Sequence, residues 1–218
     1  MEFKSNEEMV EYLVEMGYIR SERVKEAFLK VDRKVFVPAE YKDSAYVDFP
    51  IRIGANATIS APHMVAMMTE LLKVEKGNKI LEIGAGSCWQ ACILGYLVGK
   101  EGLVITVEID KQVYEFGKKN LEKIGMKNVR IINADGSCGY PEFAPYDRIL
   151  ITAACPKKIP KEIVKQLSEN GRVVAPVEEK CFDQWLVVGE KINGKFKTRK
   201  ICSVSFVRLI GKCGFKSY

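Results

Sequence analysis

The residues best suited to chemistry in this sequence are three acids, each placed at the end of a short apolar run. Glu82 ends one such run, Glu108 ends the next, and Asp135 follows a third. Carboxylates at these positions can accept hydrogen bonds from the hydroxyl and amino groups of a nucleoside. Acids also cap helices, which is the structural alternative. Because the three acids recur at consecutive predicted strand ends, we favour a shared ligand site.

A glycine turn directly after Glu82 indicates which ligand that site would bind. Residues 80–90 read ILEIGAGSCWQ, so a buried strand would pass through Gly84, Ala85 and Gly86 into a helix. Backbone N–H groups and the positive end of that helix would face a ligand above the sheet. A carboxylate at Glu82 would repel a pyrophosphate, which disfavours NAD and ATP. S-adenosylmethionine, with its amino group, ribose and sulfonium, fits this description better.

The other two acids complete this hypothesis of a nucleoside site. Glu108, followed by Ile109, lies 24 positions beyond Gly84. A carboxylate there can accept both ribose hydroxyls. Asp135 can accept from an adenine amino group, and Gly136 allows close approach of the backbone. These residues are therefore predicted cofactor contacts.

A second polar pair, Ser60 and His63, stands at the predicted start of another helix. Pro62 suits the first turn of that helix, and apolar residues continue at helical spacing to residue 72. Ser60 could be an ordinary N-cap and His63 a surface or capping side chain, since serine is a preferred capping residue. The spacing alone leaves a structural and a functional role open.

The elements that must position these residues alternate regularly after Gly77. Apolar runs predict strands at residues 79–83, 103–107, 129–132, 148–152 and 172–176, and amphipathic segments predict helices at 90–98, 111–124 and 162–167. This alternation predicts an α/β fold, a Rossmann-like doubly wound and mostly parallel sheet. Strand-like segments at 185–188 and 203–209, with a turn at 191–195, predict an antiparallel C-terminal edge.

The N-terminal region and the length of the chain complete the expected organisation. Apolar residues at helical spacing in 5–16 and 21–31 predict an N-terminal helical extension. A chain of 218 residues supports a single domain with one sizeable core. We expect a single domain over 1–218, made of the extension (1–56), a cofactor-binding βα core (57–176) and a C-terminal β segment (177–218).

Composition narrows the classes of protein and partner. Apolar residues make up 47% and charged residues 28%, as in ordinary soluble globular proteins. No apolar run approaches the roughly 20 residues of a membrane span, and the N-terminus lacks a signal-peptide pattern. We therefore expect a cytoplasmic protein without a membrane partner. The net charge of +6 is spread along the chain, so we expect no nucleic-acid partner, and a monomer or small homo-oligomer.

The cysteines and the single histidine argue against a metal site. None of the seven cysteines forms a Cys-x-x-Cys motif, and His63 is the only histidine. Cys88 and Cys92 lie four apart on a predicted helix and are expected to be buried as small apolar groups. We expect reduced thiols, as in most cytosolic proteins, with thermophile disulfides as the known exception.

Several stretches of the chain together resemble the protein-L-isoaspartate (D-aspartate) O-methyltransferase family. They are residues 31–38 (VDRKVFVP), 45–48 (AYVD), 57–64 (ATISAPHM), 80–87 (ILEIGAGS), 134–137 (ADGS), 144–149 (APYDRI), 152–154 (TAA) and 166–176 (QLSENGRVVAP). The segment from 57 to 64 is the family-specific one, whereas the glycine turn is shared by many methyltransferases. The resemblance covers nearly the whole chain.

The resemblance implies an S-adenosylmethionine-dependent enzyme that methylates the free α-carboxylate of L-isoaspartyl residues in damaged proteins. The methyl ester would then return to a succinimide, which begins repair, so isoaspartyl peptides and proteins are the implied partners. Ser60 matches the family's active-site residue. Cofactor contacts carry over to Ile59, Ser60, His63, Glu82, Gly84, Glu108, Asp135 and Gly136, and substrate contacts are expected at Ala57, Val207 and Leu209.

Three positions depart from the family pattern and keep two alternatives open. Cys88 and Trp89 stand where the glycine motif usually ends in Gly-Tyr, and Arg208 replaces a proline, adding a backbone N–H donor and a charge. One alternative is a related methyltransferase acting on RNA or a small molecule. The other is a non-catalytic homologue that binds cofactor or isoaspartyl peptide. Against an RNA enzyme, the sequence has no dense basic block and no Asp/Asn-Pro-Pro-Tyr motif.

Overall fold

One mixed sheet and the helices that cover it account for most of the fold in the computed structural model, which describes residues 3–54 and 56–217. The helices are α1 (Asn6–Glu15), α2 (Glu22–Lys30), α3 (Pro62–Leu72), α4 (Trp89–Val98), α5 (Lys111–Ile124) and α6 (Lys161–Lys165). The strands are β1 (Ile51–Arg52), β2 (Thr58–Ile59), β3 (Lys79–Ile83), β4 (Leu103–Glu108), β5 (Val129–Asn133), β6 (Tyr146–Ile151), β7 (Cys155–Pro156), β8 (Leu167–Lys180), β9 (Asp183–Ile192) and β10 (Lys195–Val204). Three short 3-10 helices are Arg33–Phe36, Ala39–Ser44 and Pro141–Phe143. Within these described ranges, no helix combines the length and apolar character needed to cross a bilayer.

The main sheet has the strand order β10-β9-β8-β6-β3-β4-β5, with β7 beside β8. Strands β8, β6, β3, β4 and β5 are parallel, whereas β9 and β10 are antiparallel to their neighbours. Chain order reverses between β3 and β6, which is where ligands bind in doubly wound sheets. The predicted mostly parallel sheet with an antiparallel C-terminal edge is confirmed.

Most predicted elements have nearly the observed bounds, but the last strand does not. β3 and α5 have the predicted bounds. The strand predicted at 203–209 is wrong: β10 is Lys195–Val204, and it pairs with β9 around a turn at Asn193 and Gly194. Most of residues 195–200 are exposed and charged, so they lack the apolar run that the prediction relied on. Likewise β8 is longer than 172–176, and because it takes in Leu167, α6 ends at Lys165.

Helix α4 is buried along nearly its whole length because the sheet and the N-terminal helices cover it. Of its residues, only Tyr96 is not fully buried. The Trp89 indole Nε1 donates to the Val31 carbonyl at 2.9 Å, and the ring packs edge-on against Phe28 at 5.5 Å between centroids. The tryptophan therefore ties α4 to the end of α2.

The N-terminal helices pack onto this core with the expected capping. Ser5 and Ser21 are the N-caps of α1 and α2, and their hydroxyls accept from Glu8 N at 3.2 Å and Val24 N at 3.4 Å. The buried Asn6 side chain donates to the Phe28 carbonyl at 2.9 Å. The two helices are thus hydrogen-bonded to each other as well as packed on the core.

The C-terminal tail is fastened to the loop that follows β5. Cys138 and Cys213 form a disulfide, Lys212 N donates to Asp135 Oδ2 at 2.8 Å, and Cys213 N donates to Ser137 Oγ at 3.0 Å. The expectation of reduced thiols is therefore wrong for this pair, because the folded tail brings together two cysteines separated by 75 positions. Cys88 and Cys92 are free and buried, as predicted.

Candidate functional site

A cavity of about 680 Å³ lies where the parallel strands end. Its lining includes residues that follow β3, β4, β5 and β6, together with the 56–63 stretch and residues 203–210. This volume is typical of a small-molecule site, roughly 300–1,000 Å³. The cavity thus joins the ends of the sheet to both flanking regions of the chain.

Nearly all of the predicted site residues come together here. The predicted residues that line the cavity are Ala57, Ile59, Ser60, His63, Gly84, Ala85, Gly86, Glu108, Ile109, Gly136, Val207 and Leu209. Glu82 and Asp135 do not line it. Glu82 is buried beneath the turn, and Asp135 faces the C-terminal tail.

The glycine turn has a backbone that side chains would obstruct. Gly84 has φ +96° and Gly86 has φ +53°, in the region that favours glycine. The Thr152 hydroxyl donates to the carbonyls of Ile83 at 3.0 Å and Gly84 at 2.7 Å, and a Cβ on Gly84 would lie 2.3 Å from that hydroxyl oxygen. Thr152, which the sequence analysis placed only in the family-like TAA stretch, fastens the turn to the end of β6.

Glu108 is fixed at the cavity wall by the turn itself. Its Oε2 atom accepts from Gly86 N at 3.0 Å and its Oε1 atom from Asp110 N at 3.1 Å. Burial raises the pKa of Glu108, although the backbone hydrogen bonds, from Gly86 above all, act against that shift. A carboxylate held in this way can accept from ligand hydroxyl groups at the end of the second parallel strand.

Glu82 lies beneath the turn rather than in the cavity. It is completely buried, its Oε2 atom accepts from the Thr106 hydroxyl, and its Oε1 atom has no hydrogen-bond partner among the described residues. Burial raises the pKa of Glu82 to about 8, and the neighbouring Glu108 adds to the effect. The group is therefore mostly protonated at neutral pH. The expected repulsion of a pyrophosphate does not come from Glu82, and the acids that line the cavity are Asp48, Glu108 and Asp110.

Asp135 faces the C-terminal tail. Its Oδ1 atom accepts from Ser137 N at 2.8 Å and its Oδ2 atom from Lys212 N at 2.8 Å. Burial would raise its pKa, but these hydrogen bonds and the Lys212 charge outweigh that effect and lower it. The following residue, Gly136, does line the cavity. Contact between Asp135 and an adenine amino group stays a prediction.

Ser60 lies in the cavity wall and is not the cap of α3. Ala61 is the N-cap and provides no side-chain acceptor. Instead, Asp48 Oδ1 accepts from the His63 backbone N–H at 2.9 Å and pairs with His63 Nδ1 at 2.8 Å. The capping alternative for Ser60 is therefore excluded, and its hydroxyl makes no hydrogen bond to the residues that the structure describes.

Arg33 and Asp48, which were not predicted as site residues, hold the corner of the cavity formed by Ser60 and His63. Arg33 is fully buried and donates to the carbonyls of Ala45, Val47, Phe49 and Ser60, while its guanidinium lies 5.3 Å from the centroid of the Trp89 ring. Asp48 carries the contacts to His63. The family-like VDRKVFVP stretch contained Arg33 without a role, and the AYVD stretch likewise contained Asp48 without a role.

The C-terminal wall is held by the backbone of Ala154 and by side chains that surround Arg208. Ala154 N donates to the Val207 carbonyl at 2.8 Å, and Leu209 N donates to the Ala154 carbonyl at 2.9 Å. Arg208 donates to the Glu178 carboxylate through Nε (3.2 Å) and Nη2 (2.7 Å). The Arg208 guanidinium also lies within 5.2 Å of the Phe182 and Phe215 ring centroids. The residue that departs from the family pattern therefore supports this wall.

The donor set in the cavity suits a nucleoside better than a metal ion. A glycine turn, a fixed carboxylate at the end of β4 and Gly136 in the cavity wall are features that recognise an adenosine moiety. Among the described residues, no group of three or more His, Cys, Asp or Glu side chains is arranged to hold a metal ion. Fold and site together define a Rossmann-like nucleoside-binding protein of the S-adenosylmethionine-dependent methyltransferase class.

Comparison with known proteins specifies the family. Residues 4–214 match the family model described as protein-L-isoaspartate(D-aspartate) O-methyltransferase. The protein-L-isoaspartate O-methyltransferase of Methanopyrus kandleri is 45% identical over 214 residues, covering 98% of this chain and 94% of the relative. That of Pyrococcus abyssi is 45% identical over 208 residues, covering 95% of each chain. The chain therefore belongs to the protein-L-isoaspartate (D-aspartate) O-methyltransferase family.

Solved structures agree with this assignment. A protein-L-isoaspartate O-methyltransferase structure superimposes with a TM-score of 0.85 at 30% identity, covering 96% of this chain and 67% of its own. A Plasmodium falciparum structure assigned to the same activity, in complex with S-adenosyl-L-homocysteine, gives a TM-score of 0.85 at 26% identity, covering 95% and 99%.

Proposed function

We propose that this protein transfers the methyl group of S-adenosylmethionine to the free α-carboxylate of L-isoaspartyl residues in damaged proteins. The observation that carries the proposal is one cavity that contains both the glycine turn with Glu108 and the family-specific Ser60–His63 corner. The first pair of features suits the nucleoside of the cofactor, and the second brings Ser60 to the substrate carboxylate and His63 to the cofactor. Family membership over nearly the whole chain supports the same activity.

The reaction needs positioning more than acid–base chemistry. A substrate carboxylate has a pKa near 4 and is ionised at neutral pH, so no strong general base is required. One carboxylate oxygen attacks the methyl carbon as the sulfur–carbon bond breaks, which leaves a methyl ester and neutral S-adenosylhomocysteine. The backbone nitrogen of the next residue then attacks the ester carbonyl, which closes a succinimide and releases methanol. Alignment of oxygen, carbon and sulfur is the main contribution that the protein can make.

The cavity residues divide between the two ligands. The backbone at 84–86, with Glu108 and Ile109, would bind the nucleoside, joined by Gly136 and by contacts to Ile59 and His63. The Ser60 hydroxyl would orient the attacking carboxylate, assisted by the positive end of α3, which contributes about 0.3–1 kcal/mol. Ala57, Val207 and Leu209 would contact the substrate peptide. A cytoplasmic location and a monomeric or small homo-oligomeric state are part of the same proposal.

The test of the activity compares two peptides that differ only in one linkage. We expect labelled methyl groups from S-adenosylmethionine to enter an isoaspartyl peptide and not its normal aspartyl twin, because only the isoaspartyl form presents a free α-carboxylate at that residue. Scintillation counting of the purified peptides measures the transfer. Equal labelling of both peptides, or of neither, would refute the proposed function.

The role of Ser60 is tested by Ser60→Ala. Turnover of the isoaspartyl peptide should fall by about tenfold or more because an orienting hydrogen bond is lost, while S-adenosylhomocysteine affinity changes little. Steady-state kinetics and titration calorimetry measure the two effects. Ser44→Ala, which is remote from the cavity lining, is the matched control. Full turnover in Ser60→Ala would remove Ser60 from the reaction.

A further inference from the structure

We propose that Arg33 is a positioning residue for methyl transfer, which fixes Ser60 relative to the cofactor by holding both ends of the β1–β2 hairpin. The inference rests on the proposed function, in which the Ser60 hydroxyl orients the attacking carboxylate. It assigns a role in the reaction to a side chain that is buried behind the cavity wall and does not line the cavity.

A single nitrogen of Arg33 holds the two ends of this hairpin. Nη2 donates to the Phe49 carbonyl at 3.0 Å and to the Ser60 carbonyl at 3.1 Å. Phe49 lies shortly before β1, and Ser60 directly follows β2. The two strands are antiparallel, with Ile51 opposite Ile59, so Nη2 closes the end of the hairpin that lies opposite its turn. The backbone of Ser60 is therefore fixed at the point where it leaves the hairpin.

The remaining contacts of Arg33 prevent its guanidinium from moving. Nη1 donates to the carbonyls of Ala45 and, at 3.2 Å, Val47. Nε has no hydrogen-bond partner among the described residues, so the two Nη atoms make all of the side chain's hydrogen bonds. Hydrogen bonds from a charged donor are stronger than those between neutral groups. The planar guanidinium cannot shift toward one of these carbonyls without losing another.

The same guanidinium contacts the helix that follows the glycine turn. It lies 5.3 Å from the centroid of the Trp89 ring, and Trp89 is the first residue of α4. The β1–β2 hairpin also lies close to this turn, because a Cβ on Gly86 would be 3.6 Å from Ile53 Cδ1 and 3.8 Å from the Thr58 carbonyl oxygen. Arg33 thus links the Ser60 end of the hairpin to the start of α4. This link sets the separation between the serine and the turn that would bind the cofactor.

Arg33 uses the shape of its side chain and not an ion pair. Within the part of the chain that the structure describes, its guanidinium forms no salt bridge with a carboxylate. Burial lowers the pKa of Arg33 to about 9, and the charge of Asp48 acts against that shift, so the group is protonated at neutral pH. All of its hydrogen bonds are to carbonyl oxygens. Lysine has the same charge but lacks the planar array of donors that these contacts require.

The decisive variant is therefore Arg33→Lys. We expect kcat for the isoaspartyl peptide to fall by about tenfold, as for Ser60→Ala, because the hydroxyl is no longer held at its productive position. The affinity for S-adenosylhomocysteine should change little, since Arg33 makes no hydrogen bond to the glycine turn or to Glu108. Steady-state kinetics and titration calorimetry measure the two effects.

Arg172→Lys is the matched control for the loss of a buried arginine. Arg172 is also buried and donates to a backbone carbonyl, that of Leu71 at 3.1 Å, but it does not line the cavity and contacts no residue of the Ser60 corner. This substitution should lower Tm and leave kcat unchanged. The comparison separates a loss of stability from a loss of positioning.

A double-mutant cycle tests whether Arg33 acts through Ser60. In a Ser60→Ala background, adding Arg33→Lys should lower kcat by less than about twofold, because the hydroxyl that Arg33 positions is already absent. A side chain that only supports the core would cause the same fold-loss of kcat in both backgrounds. The cycle therefore distinguishes a positioning residue from a structural one.

Full kcat in Arg33→Lys, or equal fold-losses in both backgrounds, would overturn the proposal. If Arg33→Lys does not fold, a crystal structure of the wild-type protein with S-adenosylhomocysteine and an isoaspartyl peptide decides instead. We expect Nη2 to stay within hydrogen-bond distance of the Phe49 and Ser60 carbonyls, with the Ser60 hydroxyl on the substrate carboxylate. Loss of either carbonyl contact in that complex would refute the role. Failure of the proposed function is distinguishable, because it would be seen as absent methyl transfer by the wild-type protein, whereas failure of this inference leaves that transfer intact.

Discussion

At the scale of single residues, Glu82 shows that the position of an acid in a motif does not determine whether that acid is charged. The motif places an acid directly before the glycine turn, and the fold then buries that acid completely. Burial raises its pKa to about 8, so it enters the folded protein as a neutral hydrogen-bonding group. Its structural role is to sit under the turn with Thr106, while Glu108 provides the carboxylate that reaches the cavity.

Glu82 should make stability depend on pH between about 4.5 and 8. The folded state retains this proton up to a pKa of about 8, whereas the unfolded chain releases it near the ordinary value of 4.5. Stability therefore falls as pH rises through that window, because the folded state binds more protons than the unfolded state. Glu82→Gln should flatten this slope, measured by urea unfolding at several pH values. Glu122→Gln, at an exposed site, is the control, and parallel curves for wild type and Glu82→Gln would contradict the prediction.

At the scale of elements, the glycine turn depends on a position of α5 that carries no side chain. Cys88, where the family usually has a third glycine, has φ +67° and is fully buried. Its sulfur is accommodated because Gly117 of α5 has no side chain: a Cβ there would lie 3.0 Å from Cys88 Sγ and 2.6 Å from the Gly86 carbonyl oxygen. The Cys88 side chain at the start of α4 is thus accommodated against α5 and does not occupy the space proposed for the cofactor.

Gly117→Ala should therefore damage the turn although alanine is the better helix former. We expect a net destabilisation of about 1–3 kcal/mol from overpacking, together with weaker binding of S-adenosylhomocysteine, because the Gly86 carbonyl must move. Thermal unfolding and calorimetry measure the two effects. Lys119→Ala, on the exposed side of the same helix, controls for helix propensity. If both variants behave alike, α5 does not support the turn.

The elements that could be predicted are those whose signals are local. The alternating strands and helices from β3 to β8, the glycine turn and the cluster of residues at strand ends all follow from periodicity and motif order. Arg33 could not be assigned, since its partners are carbonyls up to 27 positions away. Asp48 accepts from the backbone N–H of His63 at the start of α3, 15 positions away. Nothing in the sequence around Asp48 indicates this contact. The exposed strand β10 lacks the alternation of apolar residues by which a strand is predicted. The contacts of Asp135 depend on the C-terminal tail, residues 209–215, which folds back onto the loop after β5.

At the scale of the whole molecule, the tail closes the fold onto the site. The Cys138–Cys213 disulfide joins the loop after β5 to the last residues of the chain, and each partner segment lines the cavity, through Gly136 and Ser137 on one side and Leu209 and Ile210 on the other. The two cavity walls are therefore covalently connected. Such bonds are known in intracellular proteins of hyperthermophiles.

Breaking this bond should lower both stability and ligand affinity. A cross-link between residues 75 positions apart restricts the unfolded chain by about 4 kcal/mol in the chain-entropy treatment. Cys138→Ser with Cys213→Ser, or reduction by a dithiol, should lower Tm and weaken S-adenosylhomocysteine binding. Cys181→Ser, at an exposed free thiol, should change neither. An unchanged Tm after complete removal of the disulfide would show that the tail adds nothing to the fold.

The outer strand β10 affects which extended chains can pair with the edge of the sheet. A sheet edge offers unpaired backbone groups to any extended chain, and such pairing is a common route to aggregation. The exposed edge strand here carries Lys195, Lys197, Arg199 and Lys200, charges that disfavour pairing with a second strand. The positive charges of β10 therefore disfavour edge-to-edge pairing between this protein and an extended chain, including a loosened segment of a damaged substrate.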